Sequence, residues 1–386
     1  MKGWEWLTEG RYTWGSAARI VAKGLLLFAL VNVIWAIVGA TPAVASLSIY
    51  GLLVPYRDRL PYGENAAAYN LSTNSLEAMF GTHALRRPKA ADEYRVLVLG
   101  DSATWGILLR PEETTSGQLN ALGLRTADGR RMVFYNVAHP IMSLTKDLAL
   151  LEMALAYSPD MILWPITLES LHLPSQLEPP LLQHNASRVR QLIARYSLPL
   201  DAADSRLKEP DFLGRTLIGE RRLLADWLRL QLYGVAWATT GVDQVYGDYT
   251  PRSNDFAPDQ SWHELPAEAP LDGLLAVDML RAGHTMAGAV PVLLVNEPIF
   301  VADGENSEIR YNFWYPKWAY DAYRTLLAEQ AQAAGWRYAD LWDIVPPAEF
   351  TDSPVHLTPE GSALLASRLG PILQTTADSA LVETDE

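Results

Sequence analysis

The chain has 386 residues, 49% hydrophobic and 20% charged, which supports a sizeable core and excludes global disorder. A net charge of -14 argues against a phosphate-gripping surface, so no nucleic acid is expected as a partner. Cysteine is absent, which removes disulfides, thiol nucleophiles and thiolate metal sites.

The first element is apolar. From Gly24 to Ala40 the sequence reads GLLLFALVNVIWAIVGA, with Asn32 its one polar side chain, and no charge falls between Lys23 and Arg57. A helix over 20–45 is long enough to cross a hydrocarbon core of roughly 30 Å. Lys2, Arg11, Arg19 and Lys23 outweigh Glu5 and Glu9 ahead of it. That bias predicts a cytoplasmic leader over 1–19 and a main domain outside the cytoplasm. A buried core helix and a signal peptide cleaved after the A-x-A pattern of Ala43 and Ala45 are the competing readings.

Residues 46–92 are rich in Tyr, Pro and Asn without a sustained period, and read as a linker packing on the domain. Strands and helices then alternate. Short apolar runs predict strands at 95–100, 133–138, 161–166, 292–296 and 337–341. Helical patterns fall at 144–157, 275–287, 318–334 and 359–373. This alternation predicts an α/β fold with a parallel sheet of about five strands covered on both faces. Between 170 and 271 the rhythm stops. A long helical pattern around 217–238 and a polar, Pro-rich loop read there as an insertion, a cap or an interaction surface. The acidic stretch 374–386 reads as a mobile tail.

In a parallel sheet, ligands gather at the carboxyl ends of strands. The run RVLVLGDSATWG, 95–106, places Ser102 there. A serine hydroxyl needs a base, and histidine titrates in the right range. His356 stands in FTDSPVHLTPEGSALLA four residues after Asp352, a carboxylate able to fix its tautomer. Thr358 and Pro359 then supply an N-cap and a first helical residue. A lone Gly-Asp-Ser usually marks only a turn; the strand before it and the late Asp/His pair favour catalysis. His139 reads as a packed loop residue. His83, His172, His184, His263 and His284 show no ligand spacing, so no metal or cofactor is expected. The aromatic run RYNFWYPKWAYDAY, 310–323, reads as core or as a sugar-stacking surface.

With these blocks in place, residues 93–373, apart from the insertion, resemble the SGNH (GDSL-like) hydrolase family. The resemblance implies a flavodoxin-like doubly wound sheet and a serine ester hydrolase. Ser102 would be the nucleophile, its backbone N–H an oxyanion donor, His356 the base, Asp352 its orienter and Asp101 a brace for the loop. Three departures stand out. The family usually spaces its last pair Asp-x-x-His, whereas Asp352 precedes His356 by one residue more and Ser353 takes the usual place. Ala138 replaces the glycine of the second block, where a backbone N–H still serves. The Gly-x-Asn-Asp of the third block is missing. Thr167 is the nearest polar residue there, and Asn296 is a candidate for the same space without family warrant. The implied activity is a membrane-anchored serine esterase or O-acyltransferase acting on an ester, an acylated cell-surface carbohydrate among the candidates. The alternative is a non-catalytic binding or assembly subunit that keeps the fold. No protein partner is indicated.

Overall fold

Five strands form one parallel sheet: β1 (Glu93–Val98), β2 (Arg131–Asn136), β3 (Met161–Ile166), β4 (Val292–Asn296) and β5 (Arg337–Asp340). The computed structural model describes residues 13–63, 71–244 and 246–385. Strand order is β2-β1-β3-β4-β5, the flavodoxin-like arrangement. The chain reverses direction across the sheet between β1 and β3, so the loops after these two strands share one edge.

The central strands are apolar on both faces because helices cover both. Leu97, Leu99, Ile162, Trp164, Ile166 and Leu294 face one core, and Val96, Val98, Met161, Leu163, Leu293 and Val295 face the other. The first core is covered by helices Leu144–Ala154, Val277–Ala287 and Lys317–Ala334. The second is covered by Thr115–Ala121 and the terminal helix Pro359–Asp385.

Several expected boundaries move. β1 and β2 begin two residues earlier than their apolar runs, at Glu93 and Arg131. Glu93 is buried there because it accepts the Arg95 Nε–H at 2.6 Å. The tail does not form an irregular segment. The terminal helix runs through it to Asp385, Ala377 is buried against the second core, and Asp378 accepts the Ala127 N–H at 2.7 Å. The 170–271 segment is not wholly a cap, since helix Ala186–Tyr196 puts Val189, Leu192 and Ile193 into the first core. Residues 46–92 likewise supply Leu60, Leu76, Met79, Phe80 and Leu85 to that core.

The apolar amino-terminal helix spans Trp14–Val38, starting earlier and ending sooner than 20–45. Thr13 caps it through the Ser16 N–H, and Gly39 at φ 62° ends it. It is long and apolar enough to cross a membrane, and most of its large side chains are exposed. Its far end is bonded to the domain: Asn32 Oδ1 accepts the Ile218 N–H at 3.2 Å, and Trp35 donates to Glu220 at 2.9 Å. The leader charges Lys2, Glu5, Glu9 and Arg11 lie outside the described residues.

Candidate active site

The turn after β1 depends on two glycines. Gly100 has φ 132°, and a Cβ there would lie 2.5 Å from Thr104 Oγ1. Gly106 ends the short helix Ser102–Trp105 at φ 89°. Between them Asp101 is buried, and its carboxylate accepts the Ala103 N–H at 2.8 Å. Asp101 therefore caps the turn that presents Ser102.

Ser102 Oγ lies 2.9 Å from His356 Nε2. On the other side of the ring, His356 Nδ1 lies 2.8 Å from Asp352 Oδ1. The extra residue between Asp352 and His356 is taken up by a closed turn. Phe350 bridges Leu357, and the Thr351 N–H donates to the His356 carbonyl at 2.9 Å. Ser353 is absorbed inside that turn, where its Oγ accepts the Val355 N–H. Thr358 Oγ1 caps the terminal helix through the Gly361 N–H at 3.0 Å. Partial burial disfavours the Asp352 charge, but the hydrogen bond and charge of His356, together with hydrogen bonds from the Asp352 backbone and the Thr351 side chain, hold this carboxyl below its ordinary range. A serine, a histidine and a carboxylate thus stand in one hydrogen-bonded line, although 254 positions separate Ser102 from His356 in sequence.

The other expected site residues have different surroundings. The Ala138 N–H donates to Asn136 Oδ1 at 3.2 Å, and would have to leave that bond to serve an oxyanion. Thr167 is fully buried and donates to the Tyr315 hydroxyl at 3.2 Å. Asn296 donates to Asp340 at 2.8 Å and accepts from Tyr320 and Tyr323, so its amide ties β4 to β5 and a helix. Within the aromatic run, Tyr315, Tyr320 and Tyr323 are buried in the first core and offer no sugar platform. His139 is buried, as a packed loop residue should be, and burial together with the Lys146 charge lowers its pKa to about 3.

Beneath the nucleophile turn lies a cluster without a sequence signal. Lys146 is fully buried on helix Leu144–Ala154. Its Nζ donates to the Gly100 carbonyl at 2.8 Å and the His139 carbonyl at 2.5 Å, and pairs with Asp147 at 3.1 Å. One ammonium therefore ties the turn after β1 to the loop after β2. Three buried carboxyls surround it. Burial raises the pKa of Asp101 and of Asp147, with Lys146 opposing in both cases. Glu297 follows β4 and is raised well above its ordinary value, by burial and then by the charges of Asp101 and Asp147. Lys146→Met removes the cation and both carbonyl ties while leaving buried acids behind. The expected result is a loss of about 3–5 kcal/mol of stability, read by urea unfolding of the full chain. A midpoint equal to wild type would show that the cluster carries no such weight.

The 46–92 segment also reaches the site. Arg59 is buried and donates to the carbonyls of Trp105 and Gly106, and its guanidinium lies 4.1 Å from the Trp105 ring centroid. The Trp105 indole donates to the Leu60 carbonyl at 2.8 Å. Farther along the same sheet edge, Glu169, His172 and His263 come together, their ligand atoms all within 4.8 Å of one another. The histidines read as isolated in the sequence because Glu169 and His263 are 94 positions apart.

Comparison with known proteins adds little. No family model matches the chain, and no curated protein does. Among solved structures, two crystal structures of carbohydrate acetylesterases from Sinorhizobium meliloti are similar, each at 13% identity over 73% of this chain and 98% of theirs. Their TM-scores are 0.33 and 0.32, and a likeness that loose carries no weight for the activity of this chain.

Proposed function

We propose that the chain is a serine ester hydrolase or O-acyltransferase of SGNH type. The single observation behind this reading is the line Ser102 Oγ, His356 Nε2, His356 Nδ1, Asp352 Oδ1, with successive contacts of 2.9 and 2.8 Å. In the proposed reaction Ser102 Oγ attacks the ester carbonyl carbon while His356 Nε2 takes its proton. The Ser102 N–H donates to the oxyanion. His356 then delivers that proton to the departing alkoxide, leaving an acyl-serine. Water or a sugar hydroxyl attacks next, its proton passing through His356, and Ser102 is released. Asp352 holds the ring so that Nε2 faces Ser102 and steadies the imidazolium. Water as acceptor makes an esterase, and a sugar hydroxyl makes an acyltransferase acting on cell-surface carbohydrate.

The experiment is covalent labelling of the full chain in detergent with a serine-directed fluorophosphonate. Labelling that Ser102→Ala abolishes supports the reading. A second reading, a binding or assembly subunit that keeps the fold, draws on the engaged Ala138 N–H and the missing side-chain donor after β3. Absence of both labelling and ester hydrolysis in the wild type would favour it.

The membrane assignment is part of the proposal: Trp14–Val38 as an uncleaved anchor, with the domain outside the cytoplasm. The apolar length of the helix supports this, as do Arg19 and Lys23, which stand in its first turns ahead of the uncharged stretch 24–38. Reporters fused after residue 386 are expected to be active only where the reporter needs export. Activity of a cytoplasm-dependent reporter instead would reverse the orientation.

A further inference from the structure

We propose that Glu169, His172 and His263 form a binding site for a divalent transition metal of the zinc class, distinct from the triad, which fastens the polar Pro-rich loop to the sheet edge. Glu169 and His172 stand in the segment that leaves β3, within and just after the short helical turn Leu168–Leu171. His263 comes from the far end of the 170–271 segment, at the tip of a turn closed by paired backbone bonds between Trp262 and Leu265. His263 Nε2 is 2.8 and 3.0 Å from the two Glu169 carboxylate oxygens. The His172 ring is stacked on His263, centroids 3.6 Å apart and planes within 7°. One ion cannot lie in both ring planes as they stand, so ligation requires the exposed His263 ring to turn out of the stack. Tetrahedral zinc, with bonds of about 2.0–2.2 Å to nitrogen and carboxylate oxygen, spaces its donors by about 3.3 Å.

The surroundings match a ligand set. His172 Nδ1 is held by Ser175 Oγ at 2.6 Å, which leaves Nε2 as the nitrogen available to a metal. Ordering a ligating imidazole through its second nitrogen is what metal sites do. Backbone bonds pin His172 on the other side, where it bridges Leu275. The buried Trp262 ring stands edge-on to both imidazoles, at 5.3 and 5.0 Å, and walls the group on one side. His263 is exposed, which leaves a path in and a free fourth position for water. Two imidazoles and a carboxylate suit zinc, or cobalt as its spectroscopic stand-in, over the oxygen-seeking magnesium and calcium. Without metal, the Glu169–His263 pair is satisfied by itself. The metal replaces the shared proton of that pair and adds His172.

The test uses the full chain in detergent, stripped with a chelator and titrated with Zn2+ by calorimetry and with Co2+ by visible absorption. The expected result is one ion per chain, a Kd in the micromolar range or below, and a Co2+ spectrum of four-coordinate type. Ser175→Ala leaves all three ligands and weakens binding by about 10–100-fold. His263→Asn, at an exposed turn, abolishes binding while circular dichroism stays native. Should that variant misfold, Glu169→Gln decides the matter, and the same loss is expected. Failure of the wild type to bind either ion overturns the proposal, as does any of these ligand variants binding like wild type. Fluorophosphonate labelling of Ser102 is measured in parallel and is expected to be unaffected, so this site and the triad stand or fall separately.

Discussion

Ser102→Ala is expected to abolish fluorophosphonate labelling and to lower p-nitrophenyl acetate hydrolysis by roughly 10⁴–10⁶-fold, with the unfolding midpoint unchanged. The substitution removes one partly exposed hydroxyl whose described side-chain partner is His356. The glycines that shape the turn and the Asp101 cap are untouched, so the fold has no reason to suffer. His356→Ala should cause a loss of similar size. The double variant should be no worse than either single one, because nucleophile and base act as a unit. Wild type and Ser102→Ala hydrolysing the ester at equal rates would remove Ser102 from the chemistry.

Asp352→Asn is expected to cost about 10⁴-fold in turnover. The carboxylate receives the Nδ1–H and thereby turns the Nε2 lone pair toward Ser102. An amide placed there can donate to Nδ1 instead, which puts the proton on Nε2 and leaves the serine without a base. The four-residue spacing alone suggests a smaller effect, with the carboxylate one residue out of place. The 2.8 Å contact removes that reason, since the closed turn brings Asp352 to the ring despite its position. A variant retaining more than a tenth of wild-type turnover would show that another group orients His356.

The sheet was readable because its central strands are covered on both faces and appear as unbroken apolar runs. β3 and β4 fall where their sequences place them, whereas β1 and β2 start two residues earlier, where polar residues extend the strand, and also end two residues earlier than expected. Ser102, Asp352 and His356 were readable because each sits in a short local pattern. Lys146 and Glu297 were not. A charged residue inside a helical pattern or after a strand reads as solvated, and only the fold shows that Lys146 reaches the carbonyls of two loops. The Glu169–His172–His263 group was hidden by separation along the chain. The terminal helix was hidden by composition: TTADSALVETDE reads as a solvated tail, and only the second core shows why Ala377 turns inward.

The three acids around Lys146 give the folded chain a proton affinity that the unfolded chain lacks. Unfolded carboxyls ionise near pH 4. Asp101, Asp147 and Glu297 retain their protons to higher pH in the folded state. As pH rises through those folded values, the native state holds protons that the unfolded chain has already released, and stability falls. His83 and His139 produce the opposite slope. Burial lowers them to about 4 and about 3, so below the usual value of 6.5 the unfolded chain binds protons first, and stability falls as pH drops. His139 lends its carbonyl to Lys146, and Asp101 caps the Ser102 turn. The groups that hold the nucleophile in place thus also couple the stability of the domain to the acidity of its compartment, from both sides.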